Sequence, residues 1–398
     1  MTPPIRLFAN ALDGVREKIV PFEAERFLNA SCRITGLSDY GDDPDFRPKV
    51  ERITASLNQV DFNLIGRFAV RTMMHWHLVN RLNVIETIKR HPEILDSELE
   101  DPIVVVGLFR TGTTFLHNVL AADPSLQAGQ TWQFAYPAGR KRAPLADVGW
   151  RKRRTNIPLT MNHAIVPDQD VVHYVSRENY EEDFFLMGTD MTLMTQIVGL
   201  GDWDYAWRLM DEDLSEAYRW HKIQLQILSA QSSNKRWVLK CPWHLWNLDS
   251  LLKIYPNAKI IHTHRDVSKA IGSHCSLAAR IVCRMHRDVP AEEIAKFWVD
   301  YSVAGMRNGL AAKDTLPTNQ RCDVRLNDLR VDPAGELRKI YAQLELPFSD
   351  SLHDAFRLKA ASDPTFQHGI HEYNLADYGL TPEGVLEKFG DYADRFGV

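Results

Sequence analysis

The segment VVVGLFRTGTTFLHNVL, at residues 104–120, has residue types suited to binding a phosphate-like anion. Gly107 and Gly112 stand five positions apart and two threonines follow, which is the spacing of a phosphate-binding loop. Backbone N–H groups in such a loop, together with the N-terminus of the next helix, bind an anion without a metal ion. We therefore predict an anion site at this loop, with Arg110 as its cation.

The loop lacks the lysine that follows the second glycine in nucleotide triphosphatases, because Thr113 stands at that position. The lysine of those proteins contacts the β- and γ-phosphates of a triphosphate. Its replacement predicts a phosphate ligand other than a triphosphate bound with magnesium. A tight strand-to-helix turn without a ligand stays open on this segment alone.

A second segment, IIHTHRDVSKAIGSH, places Arg265 at the end of a predicted strand and Ser273 in the next helix. The eight-residue separation puts Ser273 about two turns into that helix. An arginine fork and a hydroxyl near a helix start suit a second phosphate, although alone they could equally be a surface pair or a cap. Two such devices at the carboxyl ends of parallel strands favour one ligand with two phosphate groups.

Hydrophobic patterning predicts the elements that position these residues. Three short runs, DPIVVVGLF, RWVLKCP and AKIIHTH, are typical of buried parallel strands. Apolar residues at helical spacing follow each strand, in TTFLHNVLAADP, HLWNLDSLLKIYP and DVSKAIGSHCSLAARIV. This alternation predicts an α/β fold, a P-loop-like three-layer core with a central parallel sheet. From Ala291 onward we expect mainly helix.

The first hundred residues read mostly as helix, in FEAERFLNASCRITG and in a longer segment that ends before Pro92. We therefore predict an N-terminal helical annex at 1–100 and an α/β core with a helical C-terminal part at 101–398.

Net charge, cysteine content and the length of apolar runs indicate which partners and which cell compartment to expect. The 398-residue chain carries a net charge of −5, so no global positive field attracts nucleic acid, and we expect no nucleic-acid partner. Five scattered cysteines, an odd number, fit reduced thiols in a cytoplasmic protein. No apolar run approaches the roughly 20 residues that cross a bilayer. A homo-oligomer stays open, because one chain carries no readable symmetry signal.

The segments GLFRTGTTFL and HTHRDVSKAIGSH, with VLKCPWHL between them, resemble motifs of the sulfotransferases that use 3′-phosphoadenosine 5′-phosphosulfate (PAPS). Directly before its Thr-Gly-Thr-Thr sequence the loop has an arginine, Arg110, and not a lysine. This form is similar to the loop of the bacterial branch and of tyrosylprotein sulfotransferases. The resemblance covers most of residues 101–398. It implies that the 5′-phosphosulfate is held by Arg110, Thr111, Gly112, Thr113 and Thr114. It implies that Arg265 and Ser273 hold the 3′-phosphate.

The implied reaction is transfer of the sulfuryl group from PAPS, as co-substrate, to a hydroxyl acceptor, with release of adenosine 3′,5′-bisphosphate and no required metal. An amine is the less favoured acceptor, and the acceptor molecule could be a small molecule, a lipid or a glycan. The resemblance also implies that Lys240, at the end of the RWVLK strand, stabilises charge on the leaving phosphate.

For the general base we favour His244, four residues beyond Lys240 and expected at the mouth of the same crevice. An imidazole with a pKa of about 6.5 can accept a proton near neutrality. A helix-start role for His244, in hydrogen bonds to backbone or substrate, is an equal alternative.

Many relatives carry a glutamate directly after a tryptophan where this chain has Gln133, which is no proton acceptor at neutral pH. A carboxylate base could come instead from SRENYEEDFFLMG, although such an acidic run is typical of a solvated helix face. Its candidates are Glu178, Glu181, Glu182 and Asp183.

Two further clusters carry charge or metal-ligand chemistry. Histidines and cysteines collect at residues 262–286, but their spacing matches no structural zinc motif, and we predict no metal site. Seven cations between Arg140 and Arg154 predict a solvated basic loop. The less favoured interpretation is a surface that borders the acceptor site and attracts an anionic substrate or a membrane.

Two other classes of function stay open. A P-loop kinase or nucleotide triphosphatase is disfavoured by the missing lysine and by the lack of an acidic metal-binding strand end. A non-catalytic nucleotide-binding relative is favoured by Gln133 and disfavoured by Lys240 together with two phosphate motifs.

Overall fold

The computed structural model describes residues 13–165, 175–194, 200–232, 235–363 and 373–398, so residues 1–12 of the predicted annex lie outside it. Its centre is a five-stranded parallel sheet of order β2-β3-β1-β4-β5. The strands are β1 Ile103–Gly107, β2 Leu126–Ala128, β3 Arg236–Lys240, β4 Lys259–His264 and β5 Arg321–Arg325. The prediction of an α/β fold with a central parallel sheet is confirmed.

Helices precede, connect and follow the strands. Those before the sheet are α1 Arg16–Ile19, α2 Ala24–Thr35, α3 Phe46–Leu57 and α4 Leu64–Arg90. Those between β1 and β4 are α5 Thr113–Leu120, α6 Thr131–Ala135, α7 Val148–Ile165, α8 Trp203–Asp211, α9 Ser215–Ser229 and α10 Leu248–Ile254. Those after β4 are α11 Val267–Met285, α12 Ala291–Asp314, α13 Leu326–Val331, α14 Pro333–Gln343, α15 Asp350–Ser362, α16 Pro382–Lys388 and α17 Gly390–Phe396.

Strand β1 lies at the middle of the sheet and is buried along its whole length. Its alternate residues enter two different apolar clusters, Val104 and Val106 on one face and Ile103 and Val105 on the other. Side chains that alternate between two buried faces explain why the strand is a continuous β-branched run. The result is the predicted three-layer arrangement.

The strand order brings the chemistry-bearing residues to one edge. In the sheet register Val105 of β1 pairs with Lys240 of β3, and Gly107 pairs with Thr263 of β4. The carboxyl ends of these three strands therefore lie side by side, and the chain leaves β1 between its two neighbours. This is the position where open parallel sheets bind their ligands.

The sequence analysis did not predict strands β2 and β5, or the break in one of the predicted helices. Strand β2 has only three residues, and β5 reads RCDVR with alternating burial, so neither shows the apolar run of a central strand. The segment HLWNLDSLLKIYP is not one helix. It forms a 3₁₀ helix at Pro242–Leu245 followed by α10.

The N-terminal helices pack directly on the core. Helix α2 ends at Gly36, which has a φ of 69°, as its sequence predicts. From α4, Trp76 Nε1 and Asn80 Nδ2 both donate to the carbonyl oxygen of Ala135, at 2.6 and 2.7 Å. Side chains of the annex and of the core belong to one buried apolar cluster. The domain boundary at residue 100 stays a prediction. Within the described ranges, every helix is too short or too polar to span a membrane.

Candidate active site

The glycines of the anion loop allow it to lie against β4 and α13. Gly107 has a φ of 156°, and a Cβ there would lie 2.5 Å from Thr263 Oγ1. Gly112 has a φ of 91°, and its Cβ would lie 2.4 Å from Leu326 Cδ1. A side chain at either position would therefore displace the loop.

The threonines of the loop have different positions. Thr111 is buried, and its Oγ1 contacts the Leu108 carbonyl oxygen at 2.6 Å and Thr263 Oγ1 at 2.7 Å. Its side chain therefore fixes the loop, which leaves the backbone for a ligand. Thr113 and Thr114 begin α5 at the N-terminal turn, where free N–H groups favour an anion.

The loop and the second phosphate motif meet through Arg110. This residue has a φ of 69°, in the left-handed region that non-glycine residues seldom occupy. Its Nε donates to Ser273 Oγ at 3.3 Å, and its carbonyl oxygen accepts from Arg265 Nη1 at 2.9 Å. Residues 155 positions apart in the chain thus form one corner of the site.

Positive charge in this corner is compensated only at longer range, since Glu182 acts to raise the pKa of Arg110 and Asp266 acts to raise that of Arg265. Burial and the neighbouring Arg265 lower the pKa of Arg110, and burial lowers the pKa of Arg265. Both side chains are partly buried, and neither forms an ion pair with any residue that the structure describes. Two guanidinium groups that repel each other in this way suit an anion, because an anion between them would remove their mutual repulsion.

The C-terminal segment covers the same corner, which the sequence analysis did not detect. Tyr373 Oη donates to the Lys269 carbonyl oxygen at 2.8 Å. Its ring lies against Gly272, where a Cβ would be 2.4 Å from Tyr373 Cε2. Gly272, directly before Ser273, therefore leaves space for the ring of Tyr373, which is distant in the sequence.

Lys240 ends β3 as a fully buried side chain between two carboxylates. Its Nζ lies 2.9 Å from Glu182 Oε1 and 3.6 Å from Glu181 Oε1. Burial lowers the pKa of Lys240, but the two carboxylates outweigh burial and raise the pKa above its ordinary value. The side chain is therefore an ammonium ion at neutral pH.

The carboxylates reach Lys240 because their loop is tied to the segment after β2. Glu181 N donates to the Gly129 carbonyl oxygen at 3.1 Å, and Gln130 forms an isolated antiparallel β-bridge with Tyr180. The expectation that this acidic run is a solvated helix face is wrong, since Glu181 and Asp183 are buried. Sequence spacing carries no sign of this pairing.

His244 does not lie at the mouth of the crevice, where we expected it. The 3₁₀ turn after β3 directs its side chain inward, and it is fully buried. Its Nε2 lies 2.7 Å from Asp183 Oδ2, and its Nδ1 lies 2.9 Å from Tyr218 Oη. Because the Asp183 carboxylate only accepts hydrogen bonds, Nε2 is the donor in that contact.

Asp183 joins a second histidine to the same network. His221 Nε2 lies 2.8 Å from Asp183 Oδ2, and His221 Nδ1 lies 2.8 Å from Tyr255 Oη. Burial raises the pKa of Asp183, but hydrogen bonds and charge from His244 and His221 hold it well below its usual range. Asp183 directly follows Glu182, and His244 lies in the turn directly after β3. The hydrogen bond between Asp183 and His244 therefore ties the acidic loop to that turn.

Gln133, the departure noted in the sequence, has a structural position. Its Oε1 accepts from Gln130 N at 2.8 Å, as half of a capping box that starts α6. The residue stabilises the segment that holds the acidic loop.

The basic segment at 140–154 is a loop only in its first part. Helix α7 begins at Val148, so the expectation of a solvated loop is wrong from there on. Arg151 is fully buried, donates from Nε to the Tyr136 carbonyl oxygen at 2.5 Å, and stacks over Trp132 at 4.6 Å.

The histidines of β4, His262 and His264, lie in a cluster with Asp323 and Lys313. Potential ligand atoms of His262, His264 and Asp323 lie within 4.8 Å of one another. The ammonium group of Lys313 donates to Asp323 Oδ1 and lies 3.3 Å from His262 Nδ1. A lysine therefore already supplies positive charge within this cluster.

The fold is an α/β fold whose candidate site lies at the carboxyl edge of a parallel sheet. A family model described as "Sulfotransferase family" matches residues 102–350. The chain belongs to this sulfotransferase family, and the prediction of a sulfotransferase enzyme is confirmed.

Mycobacterial proteins are similar over most of the chain. The omega-hydroxy-beta-dihydromenaquinone-9 sulfotransferase Stf3 of Mycobacterium bovis is 24% identical over 317 residues, 75% of each protein. The crystal structure of sulfotransferase STF1 from Mycobacterium tuberculosis has a TM-score of 0.79 at 30% identity, covering 92% of this chain and 98% of that one. Sulfotransferase STF9 from Mycobacterium avium has a TM-score of 0.81 at 27% identity, covering 95% and 97%.

Proposed function

We propose that the protein transfers a sulfuryl group from PAPS to the hydroxyl group of an apolar, lipid-like acceptor, without a metal ion. The observation that carries the donor is the contact between Arg110 and Arg265, two partly buried cations that form no ion pair with a described residue. A ligand with two phosphate groups supplies the missing negative charge. PAPS would supply the sulfuryl group, and adenosine 3′,5′-bisphosphate would remain.

The donor-binding residues fall into two groups. We assign the 5′-phosphosulfate to Arg110 and the loop backbone at Thr111 and Gly112, with Thr113 and Thr114 at the N-terminal turn of α5. We assign the 3′-phosphate to Arg265 and Ser273. The Arg110–Ser273 hydrogen bond supports one continuous site for both phosphates.

For the proton, the geometry favours Glu182 over His244. The Glu182 side chain is 16% exposed and lies 2.9 Å from Lys240, whereas His244 is fully buried with both ring nitrogens bonded. A base must reach the hydroxyl group of the acceptor. We therefore propose Glu182 as the base and Lys240 as the cation that stabilises charge on the leaving phosphate. His244 and Asp183 then position the acidic loop.

Aromatic side chains beside the acidic loop support an apolar acceptor. Phe184 and Phe185 follow the carboxylates directly and are half-buried, with ring centroids 4.1 Å apart. Phe185 also packs on the half-buried Trp76 at 5.2 Å. The similarity to a relative named for a hydroxylated menaquinone derivative supports the same class. The five free cysteines support a cytoplasmic location as part of this proposal.

The donor is tested by calorimetric titration with adenosine 3′,5′-bisphosphate and, separately, with ATP and magnesium. We expect tight binding of the bisphosphate alone. The acceptor is tested with PAPS and detergent-dispersed isoprenoid alcohols, with the sulfate ester detected by mass spectrometry. A preference for magnesium ATP would contradict the donor, and sulfation of polar alcohols alone would contradict the acceptor class.

Arg265→Ala should weaken binding of the bisphosphate by about 10- to 150-fold, the loss for one or two hydrogen bonds to a charged group. Binding of adenosine 5′-monophosphate should change by less than about threefold, because that ligand lacks the 3′-phosphate. The matched control is Lys269→Ala, which removes an exposed cation from the same helix start. Equal losses for both nucleotides in the Arg265 variant would refute the assignment.

Asp183→Asn should lower kcat by about 10- to 100-fold with little change in bisphosphate affinity, because it loosens the loop that carries Glu182. It should also alter acid stability. The folded pKa of Asp183 is depressed, so its stabilisation is present above the unfolded pKa of about 3.9 and is lost as the pH falls through the folded value. Urea unfolding at neutral and acidic pH should show the wild-type advantage shrinking toward low pH, and a constant difference would contradict this role.

A further inference from the structure

The C-terminal segment carries one aromatic ring to the start of α11. Tyr373 is half-buried, and its Oη donates to the Lys269 carbonyl oxygen at 2.8 Å. A Cβ at Gly272 would lie 2.4 Å from Cε2 of the same ring. Gly272 and Ser273 follow Lys269 by three and four positions, which places all three on one face of the helix. The ring therefore lies across the helix face that carries Ser273.

The same ring is a neighbour of both arginines of the site. Ser273 Oγ accepts from Arg110 Nε at 3.3 Å, and the Arg110 carbonyl oxygen accepts from Arg265 Nη1 at 2.9 Å. Burial lowers the pKa of Arg265, and the largest charge interaction on that pKa comes from Tyr373. Burial raises the pKa of Tyr373, and charge from Arg265 and Arg110 opposes that rise. Tyr373 therefore borders the two guanidinium groups that we assign to the phosphates.

The residues after Tyr373 hold the ring against the helix. They form a 3₁₀ turn at Leu375–Tyr378, which Asn374 caps. Leu375 packs on the same glycine as the ring, since a Cβ at Gly272 would lie 2.8 Å from Leu375 Cδ2. A ring that its own segment fixes in place loses little freedom when a ligand binds, so its contacts favour binding.

We propose that Tyr373 is a positioning residue of the donor site, whose ring covers Arg265 and Ser273 and keeps water from the 3′-phosphate. Attraction between charges is weak and screened by salt where water reaches them, and is stronger where they are covered. The ring thus strengthens the binding of the phosphate by Arg265 without supplying a charge of its own. This inference rests on the proposed function, because it takes a nucleotide with a 3′-phosphate as the ligand.

The test is calorimetric titration of the full chain with adenosine 3′,5′-bisphosphate at low and at high salt. Tyr373→Ala should bind the bisphosphate about 5- to 30-fold more weakly, a smaller loss than for Arg265→Ala because the arginine stays. Binding of adenosine 5′-monophosphate should change by less than about threefold, because that ligand lacks the phosphate that the ring covers. The bisphosphate affinity of Tyr373→Ala should also fall more steeply with salt than that of the wild type. A purely structural role of the ring would leave the salt dependence unchanged.

Gly272→Ala acts on the same ring from the side of the helix. The added methyl group would displace the ring, because it would lie 2.4 Å from Tyr373 Cε2. This variant should therefore show the same selective loss of bisphosphate binding. The double variant Gly272→Ala/Tyr373→Ala should bind no more weakly than Tyr373→Ala, because the methyl group then has no ring to displace. If Tyr373→Ala does not fold, Gly272→Ala carries the test alone.

The matched control is Tyr378→Ala, which removes another ring of the same segment, one that packs against the buried apolar cluster of the core. It should keep its bisphosphate affinity within about threefold and the salt dependence of the wild type. Equal losses for both nucleotides in Tyr373→Ala, an unchanged salt dependence, or the same loss in Tyr378→Ala would each overturn the inference. A wild-type protein that binds no bisphosphate would overturn the proposed function as well. Tight wild-type binding that Tyr373→Ala retains would remove only the role of the ring.

Discussion

Glu182→Gln is expected to lower kcat by about 10²- to 10⁴-fold, the range for loss of a general base. Glutamine keeps the shape of the side chain and can still accept a hydrogen bond from Lys240, so binding of adenosine 3′,5′-bisphosphate should change by less than about threefold. Steady-state kinetics with PAPS measures the loss of kcat, and calorimetric titration with the bisphosphate measures its affinity.

The discriminating comparison is His244→Gln. If His244 only positions the acidic loop through Asp183, its variant should lose less activity than the Glu182 variant. The reverse order, with the larger loss of kcat in His244→Gln, would restore the histidine that the sequence favoured. Thermal unfolding of both variants shows whether a loss of activity reflects a loss of structure.

Lys240→Met is expected to lower kcat by about 10²- to 10³-fold, because a preorganised cation is lost from the place where charge develops. The change also leaves Glu181 and Glu182 without the ammonium group that lies 3.6 and 2.9 Å from them. Removing one partner of a buried ion pair costs about 3–5 kcal/mol. The variant should therefore also unfold at lower denaturant concentration, which urea titration measures.

Lys240→Arg and the double variant Lys240→Met/Glu182→Gln separate these two effects. The arginine keeps the charge at the strand end, so it should recover much of the stability and part of kcat. The double variant removes the charges of Lys240 and Glu182 and leaves only Glu181 without the ammonium group, so it should be more stable than Lys240→Met while staying as inactive. Full turnover in Lys240→Met, with only its stability reduced, would make Lys240 a structural residue.

Local sequence determined the sheet centre and the place of the proposed donor site. Strands β1, β3 and β4 are short apolar runs that end at Gly107, Lys240 and His264, and each pattern lies within a few residues. The glycine spacing of the loop, and the eight-residue separation of Arg265 from Ser273, likewise depend only on nearby residues. A parallel sheet aligns strand ends, so these local patterns sufficed to predict that Arg110, Arg265 and Ser273 lie together.

The arrangement of the residues that we propose for proton transfer was decided only by the tertiary structure. Glu182 and Lys240 are 58 positions apart, and their contact depends on a loop held by Gly129 and Gln130. No periodicity shows that an acidic run will turn inward to neutralise a buried lysine. His244 has the right residue type near the right strand, but a 3₁₀ turn buries it against Asp183. The sequence specifies which groups can do the chemistry, whereas burial and long-range pairing decide which of them meet the substrate.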